Sequence, residues 1–273
     1  MHQWNHQFRS EKLMQIETVE RLVGIPPLIG FESPASWLTR AALSQGVSPG
    51  LLLKHLDLHP RADLDLVLTE KLVEKIVTVC QLDLNSFQFA VQIYRNLKKI
   101  DPDGANFLLD SESPFSYRYC PVCMHLSRVK HFMVHWRFLA WVYCPLHQCM
   151  MEDSCRSCGA AVSLPDELLK AGPDGKGIAY LDLCRSCGLR LSSHWSSVLG
   201  AVDQRSVTPW QWSQMMNGRA LLSALYYGKV KYHDDPDRSH GIKDLLKIRR
   251  RMLLPSQNFS IKGTMEQERE AQC

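Results

Sequence analysis

The stretch YCPVCMHLSRVKHFMVHWRFLAWVYCPLHQCMMEDSCRSCG, Tyr119 to Gly159, decides how the chain is read. It holds Cys120-Pro121-Val122-Cys123, Cys144-Pro145-Leu146-His147 and Cys155-Arg156-Ser157-Cys158-Gly159, and an identical copy of the last knuckle follows at Cys184-Arg185-Ser186-Cys187-Gly188. A Cys-x-x-Cys turn curls the backbone beneath one point, so two such turns supply the four corners of a tetrahedral ion. The spacing groups Cys120, Cys123, Cys144 and His147 as one ligand set and Cys155, Cys158, Cys184 and Cys187 as another. Each set is expected to hold one structural zinc ion, two per chain. Four protein ligands leave no open position for a reacting water, so neither site is read as catalytic. For any single pair a core or redox role is the alternative, and four knuckles in series weigh against it. A disulfide framework is the weaker explanation in a reducing compartment; export would reverse that judgement.

Eight of the 10 cysteines lie between Cys120 and Cys187. Cys149 falls between the two sets without a partner at knuckle spacing and is expected to be buried, with Cys80 and Cys273 as further spectators. His131 and His135 stand four apart, but Glu112 and Glu152 are the nearest glutamates, so no hydrolytic His-Glu motif forms. They read as ordinary surface or packing histidines.

Between those two glutamates the chain carries Arg118, Arg128, Lys130 and Arg137 interleaved with Tyr117, Tyr119, Phe132, Trp136, Phe138, Trp141 and Tyr143. Cations beside aromatics suit a nucleic-acid surface, one for phosphate and the other for stacking. A small metal module also needs aromatics, because it cannot bury much aliphatic core. Core packing is therefore the favoured use, leaving Arg128 and Lys130 free for a partner.

Towards the N-terminus, Ser33 or Ser36 can cap a helix that runs to about Gln45 and ends at Gly46. Val47-Ser48-Pro49-Gly50 then caps a second, Leu51 to Leu58, with Pro at the first helical position. Two short helices joined by a glycine turn make a helix-turn-helix candidate. A shift of 35 residues aligns Leu38 with Val73, Ala41 with Ile76 and Leu52 with Phe87, which suggests a second unit, Thr69–Cys80 and Asn85–Tyr94, with Gln81 in place of the turn glycine. A further helix, Ser10 to Leu22, reads as an N-terminal arm. Asp101–Gly104 and Asp110–Pro114 form a linker, and Leu164–Gly177 a long loop inside the second metal module.

Beyond Trp195 the clearest helix is Trp210–Tyr227, followed by a polar loop at Asp234–Asp237, a basic segment from Lys243 to Arg251 and a polar tail. The expected fold is mainly α with small zinc-ribbon modules. An extension, 1–24, leads into a helical region with helix-turn-helix units, 25–112. The first zinc module takes 113–150, the second 151–196, and a helical C-terminal region 197–273. Candidate contacts for nucleic acid or a partner are Arg128 and Lys130, Ser48 and Lys54 of the first helix-turn-helix, and Lys247, Arg249 and Arg250 of the basic run.

The chain has 273 residues, 45% of them hydrophobic, with 32 Lys plus Arg against 28 Asp plus Glu. That is enough to build a core, and the mild basic excess permits nucleic acid without demanding it. No apolar run approaches a membrane span and the first ten residues lack a signal-peptide core, so a soluble intracellular protein is expected. No Gly-x-x-x-x-Gly-Lys phosphate loop, paired-carboxylate motif or nucleophile motif occurs, and an enzyme is disfavoured.

Glu32-Ser33-Pro34-Ala35-Ser36-Trp37-Leu38, followed at a distance by Tyr119-Cys120-Pro121-Val122-Cys123, Trp136, Cys144-Pro145-Leu146-His147 and Cys155-Arg156-Ser157-Cys158, resembles the TniQ (TnsD-like) family of bacterial transposition proteins over about residues 25 to 195. The resemblance implies a non-enzymatic target-selection adaptor. Such a protein couples a target reader, either a Cascade-type CRISPR effector with guide RNA or target DNA, to a TnsC-like AAA+ ATPase that activates the transposase. It also implies a bacterial cytoplasmic location, at the nucleoid during transposition, and allows a homodimer. An attachment-site reader of the TnsD type, or a zinc-containing helix-turn-helix transcription regulator, is the alternative. The arm before Gly24 lies outside the resemblance.

Overall fold

The computed structural model describes residues 21–109, 115–195, 208–246, 252–256 and 259. Nearly all of the expected Ser10–Leu22 helix, the Asp110–Pro114 linker, Cys273 and the basic run with Lys247, Arg249 and Arg250 lie outside these. The first helix, α1 (Pro34–Ser44), starts where Ser33 accepts the Ser36 N–H and Pro34 fills the first helical position. Its residues Ala35 to Thr39 are buried on every side, so α1 is a central element and not a surface helix. Gly46 follows at φ +64, the left-handed conformation that glycine adopts without steric cost, and the Ser48 cap opens α2 (Pro49–His55).

The short α3 (Leu64–Val67) is capped by Asp63, and α4 (Glu70–Cys80) by Thr69. Gln81 ends α4 at φ +55, so a non-glycine residue takes the same left-handed turn that Gly46 takes after α1. The next helix, α5 (Gln88–Lys98), buries Ala90, Val91, Ile93, Tyr94 and Leu97. Each of the four expected segments thus holds a helix, with Leu51–Leu58 shifted to Pro49–His55 and Asn85–Tyr94 to Gln88–Lys98. In the second unit, however, α5 has as its main neighbour the C-terminal helix α7 (Pro209–Tyr227). Asn96 donates to the Leu225 carbonyl at 2.6 Å and Gln92 to the Tyr226 carbonyl at 2.8 Å, satisfying the last turn of α7.

Between them lies the cysteine region, which opens with α6 (Pro121–Leu126) and contains a two-residue hairpin, β1 (Tyr143–Cys144) with β2 (Cys149–Met150), in the register Cys144↔Cys149. α7 carries a full capping box, Thr208 with Gln211, and stops at Gly228 in the left-handed conformation. It leads into a three-stranded antiparallel sheet in the order β4-β3-β5, made of β3 (Lys229–Tyr232), β4 (Asp235–Gly241) and β5 (Leu253–Leu254).

The expected helical C-terminal region is therefore corrected to helix plus sheet; of the expected polar loop Asp234–Asp237, Asp234 lies in the turn after β3 and Asp235 to Asp237 begin β4. β4 is an edge strand, mostly exposed, so it has no buried face to impose an alternating pattern, and an edge tolerates Pro236. The Leu164–Gly177 loop is also ordered: Leu168–Lys170 form a 3-10 turn, and the Asp166 N–H donates to the Thr39 hydroxyl at 3.2 Å, tying the loop to α1.

One hydrophobic core runs through these segments, from Trp37 of α1 to Val230 of β3. Two polar networks join the helical region to the cysteine region inside it. In the first, the Ser36 hydroxyl accepts the Phe132 N–H at 2.9 Å and donates to Glu32, whose carboxylate also receives Arg40 Nε at 2.8 Å. In the second, fully buried Arg137 donates to Asp63 at 2.7 Å and Asp65 at 3.1 Å, while Tyr94 and Tyr117 donate to Asp65. Burial pushes the Asp65 carboxyl up, and the Arg137 charge opposes that push. Among the described residues, no helix is long and apolar enough to cross a membrane.

Candidate metal centres

The two ligand sets read from the spacing converge in space. Donor atoms of Cys120, Cys123, Cys144 and His147 lie within 4.8 Å of one another, as do those of Cys155, Cys158, Cys184 and Cys187. In the first centre, Cys123 Sγ stands 3.7 Å from Cys144 Sγ and 3.2 Å from His147 Nδ1, and Cys120 Sγ 3.5 Å from the same nitrogen. In the second, Cys155 and Cys187 are 3.8 Å apart and Cys158 and Cys184 3.6 Å. A tetrahedral ion with metal–sulfur bonds of about 2.3 Å has edges of roughly 3.8 Å between sulfurs, shorter where a nitrogen takes one corner. Both clusters thus have the size and donor set of four-coordinate sites for a soft or borderline divalent ion.

Local backbone explains the convergence. Cys120 is the N-cap of α6 and accepts the Cys123 N–H, so the first knuckle is the opening turn of a helix. β1 brings Cys144 alongside, and Gln148 at φ +48 turns the hairpin that carries His147. The identical Cys-Arg-Ser-Cys-Gly knuckles adopt identical geometry. Gly159 and Gly188 both sit at φ +73, and their N–H groups return to the carbonyls of Cys155 and Cys184 at 2.7 and 2.8 Å. A side chain at either glycine would strain that turn.

Within each cluster the thiols compete for charge: Cys120, Cys144 and Cys155 are pushed down, while Cys123, Cys184 and Cys187 are pushed up by their neighbours and by burial. In the first, burial disfavours the imidazolium, yet hydrogen bonds and charge from Cys120 and Cys144 raise His147 to about 9. A dication in the same place would satisfy that field directly. In the second, burial opposes ionisation of Cys155, but backbone N–H groups of Ser157 and Cys158 hold its thiol down at about 7.

Cys149 is buried as expected, but it is not remote. Its Sγ lies 3.5 Å from Cys120 Sγ, because the β1–β2 register sets it opposite Cys144. Hydrogen bonding to Cys120 and Cys144 raises its thiol, and burial adds to that. The knuckle spacing gives no hint of this contact; the hairpin register does.

The other candidate residues divide. Tyr117, Tyr119, Phe132, Trp136, Phe138, Trp141 and Tyr143 are all buried, which is the packing use of the aromatics. His131 and His135 are buried packing residues outside both clusters. Arg128 is exposed and, among the described residues, has no hydrogen-bond or ion-pair partner. Lys130, expected to be free, is not. Its ammonium donates to the carbonyls of Met124, His125 and Ser127 at 2.7, 3.0 and 2.7 Å, capping the C-terminus of α6, where helical carbonyls lack partners. Ser48 is occupied as the α2 cap, and Lys54 is exposed on α2.

The family model described as TniQ matches residues 25–151. The chain thus carries a TniQ domain in a segment that holds α1 to α6 and the first metal centre and ends ahead of the second. No curated protein matches the chain. A TniQ domain implies a transposition-associated role.

Proposed function

We propose that the protein is a non-enzymatic target-selection adaptor in DNA transposition that holds two structural zinc ions. It links a target-recognition complex, a Cascade-type effector with its guide RNA or the target DNA itself, to a TnsC-like AAA+ ATPase, and so brings the transposase to its site. The observation that carries this reading is the TniQ match over 25–151, the segment in which the helical region is fused to the first cluster through the Ser36 and Arg137 networks. Zinc is the metal of choice for three thiolates with one imidazole, or four thiolates, at tetrahedral spacing. Both sets are complete with protein donors, which supports a scaffold over a catalyst.

A second reading, the direct attachment-site reader, draws on the exposed face of α2, where Leu51, Lys54 and His55 are open to solvent. The experiment measures binding of the zinc-loaded protein to attachment-site and scrambled duplexes across a salt series, without and with the ATPase. The adaptor predicts weak, sequence-blind, steeply salt-dependent binding that becomes productive only when the ATPase or effector is added. Tight site-selective binding by the protein alone would replace it with the direct reader.

A further inference from the structure

A cleft of about 530 Å3 opens where the end of α1, the Arg128–Lys130 turn and the chain between the last two knuckles meet. Four cations line it, Arg40, Arg128, Lys130 and Arg190, facing two carboxylates, Asp182 in its wall and Glu32 behind Arg40; two positive charges are left in excess. Arg40 and Arg190 are held by those carboxylates, and Lys130 by helix carbonyls, so these three form a fixed positive rim. Of the four, Arg128 has no hydrogen-bond or ion-pair partner among the described residues. Tyr180, also lining the cleft, exposes 58% of its surface, much as Trp210 and Trp212 of α7 do, and it is the aromatic ring among the residues that line the cleft.

We infer that this cleft binds an unpaired nucleic-acid strand, with Arg128 on a phosphate and the Tyr180 ring stacked on a base. The chemistry selects that occupant. A phosphodiester answers the excess charge, and only a nucleotide also uses an exposed ring, because every base offers a π face whatever its sequence. An acidic peptide would use the charge and leave the ring idle. The volume falls within the range of small-ligand sites, which suits a nucleotide or two and not the body of a duplex. The surface joins residues of the TniQ segment, Arg40 and Arg128, to residues beyond it, Tyr180 and Arg190, so it exists only when the second knuckle module is docked on the first. The inference deepens the transposition reading by giving the protein a surface for a strand displaced or left single at the target.

The test uses the full zinc-loaded chain and fluorescence anisotropy with a labelled 20-nucleotide single strand, the matching duplex and polyglutamate as competitor. The single strand should bind more tightly than the duplex. Tyr180→Ala should weaken it roughly five- to hundredfold and Tyr180→Phe restore it. Arg128→Glu should cost about tenfold and lower the slope of log affinity against log salt by about 1. Lys71→Glu, an equal charge change on the exposed face of α4, should leave affinity unchanged. Zinc content reports that each variant is folded. The inference is overturned if the wild type does not bind the strand, if Tyr180→Ala and Arg128→Glu bind as the wild type does, or if duplex or polyglutamate occupies the cleft equally well. Any of those results would leave recruitment of the ATPase to stand or fall on its own assay.

Discussion

The two metal centres share a coordination logic but not a position. The first lies in the main core: Cys120, Cys123 and Cys144 are buried, Cys149 backs them, and Trp136, Phe138 and Trp141 are buried in the same core. The second straddles the edge of that core, with Cys155 and Cys184 buried in it but Cys158 exposed and Cys187 half-buried. The ligands of the first come from a helix cap and a hairpin, two different kinds of local structure; those of the second come from one knuckle used twice. The first centre is therefore expected to hold the fold of the whole chain, and the second only its own loop and the far wall of the cleft.

The largest effect separates the two. Cys123→Ser should abolish cooperative folding, because the binding energy of a structural zinc, on the order of 10 kcal/mol, is here folding energy of the core. Cys187→Ser should remove one zinc per chain while the core amides stay protected in hydrogen exchange. Equal collapse in both variants would erase the distinction. Next comes the joint between the helical and cysteine regions. Arg137→Met should cost about 3–5 kcal/mol in urea unfolding, since it leaves Asp63 and Asp65 beside each other without their counter-charge. Adding Asp63→Asn should recover part of the loss; if it does not, packing of the guanidinium and not its charge is what matters.

A smaller effect belongs to the contact between α7 and the first centre. A methyl group at Gly218 would stand 2.9 Å from the Trp141 ring and 3.0 Å from the Ala140 carbonyl, closer than packed atoms allow. Gly218→Ala should cost about 1–3 kcal/mol in the same unfolding experiment. The smallest effect is acid sensitivity. Burial lowers His135 to about 3, against an ordinary value near 6.5. The unfolded chain therefore takes up the proton first, and the stability present above pH 6.5 is lost as the pH falls below it. His135→Phe should flatten that slope between pH 6.5 and 5; an unchanged slope would assign it to the metal ligands alone.

What the sequence made legible follows from how local the cause is. Caps and turns are written in adjacent residues, so Ser33-Pro34, Ser48-Pro49 and Gly46 placed α1 and α2 correctly, and the knuckle spacing named all eight donors that the fold brings together. Long-range contacts leave no such mark. Nothing near Lys130 announces that it closes over α6, and Arg137 looks like any basic residue until α3 brings it two carboxylates from more than 70 positions away. The sheet after α7 escaped for a different reason. Its edge strand Asp235–Gly241 is solvated and polar, and short strands held by one neighbour carry no hydrophobic period to read. Gln81 shows the converse: the turn after α4 forms without its expected glycine and is closed by the Gln81 and Leu82 N–H groups, which donate to the Val77 carbonyl.

The central claim, that one metal centre belongs to the core and the other to its edge, is tested most directly by titrating the zinc-loaded protein with a competing chelator while following metal release and near-ultraviolet circular dichroism together. Two steps are predicted: one zinc leaves with the aromatic signal intact, and the second leaves only as that signal collapses. Release of both ions in a single step, or loss of both with the aromatic signal unchanged, would contradict it.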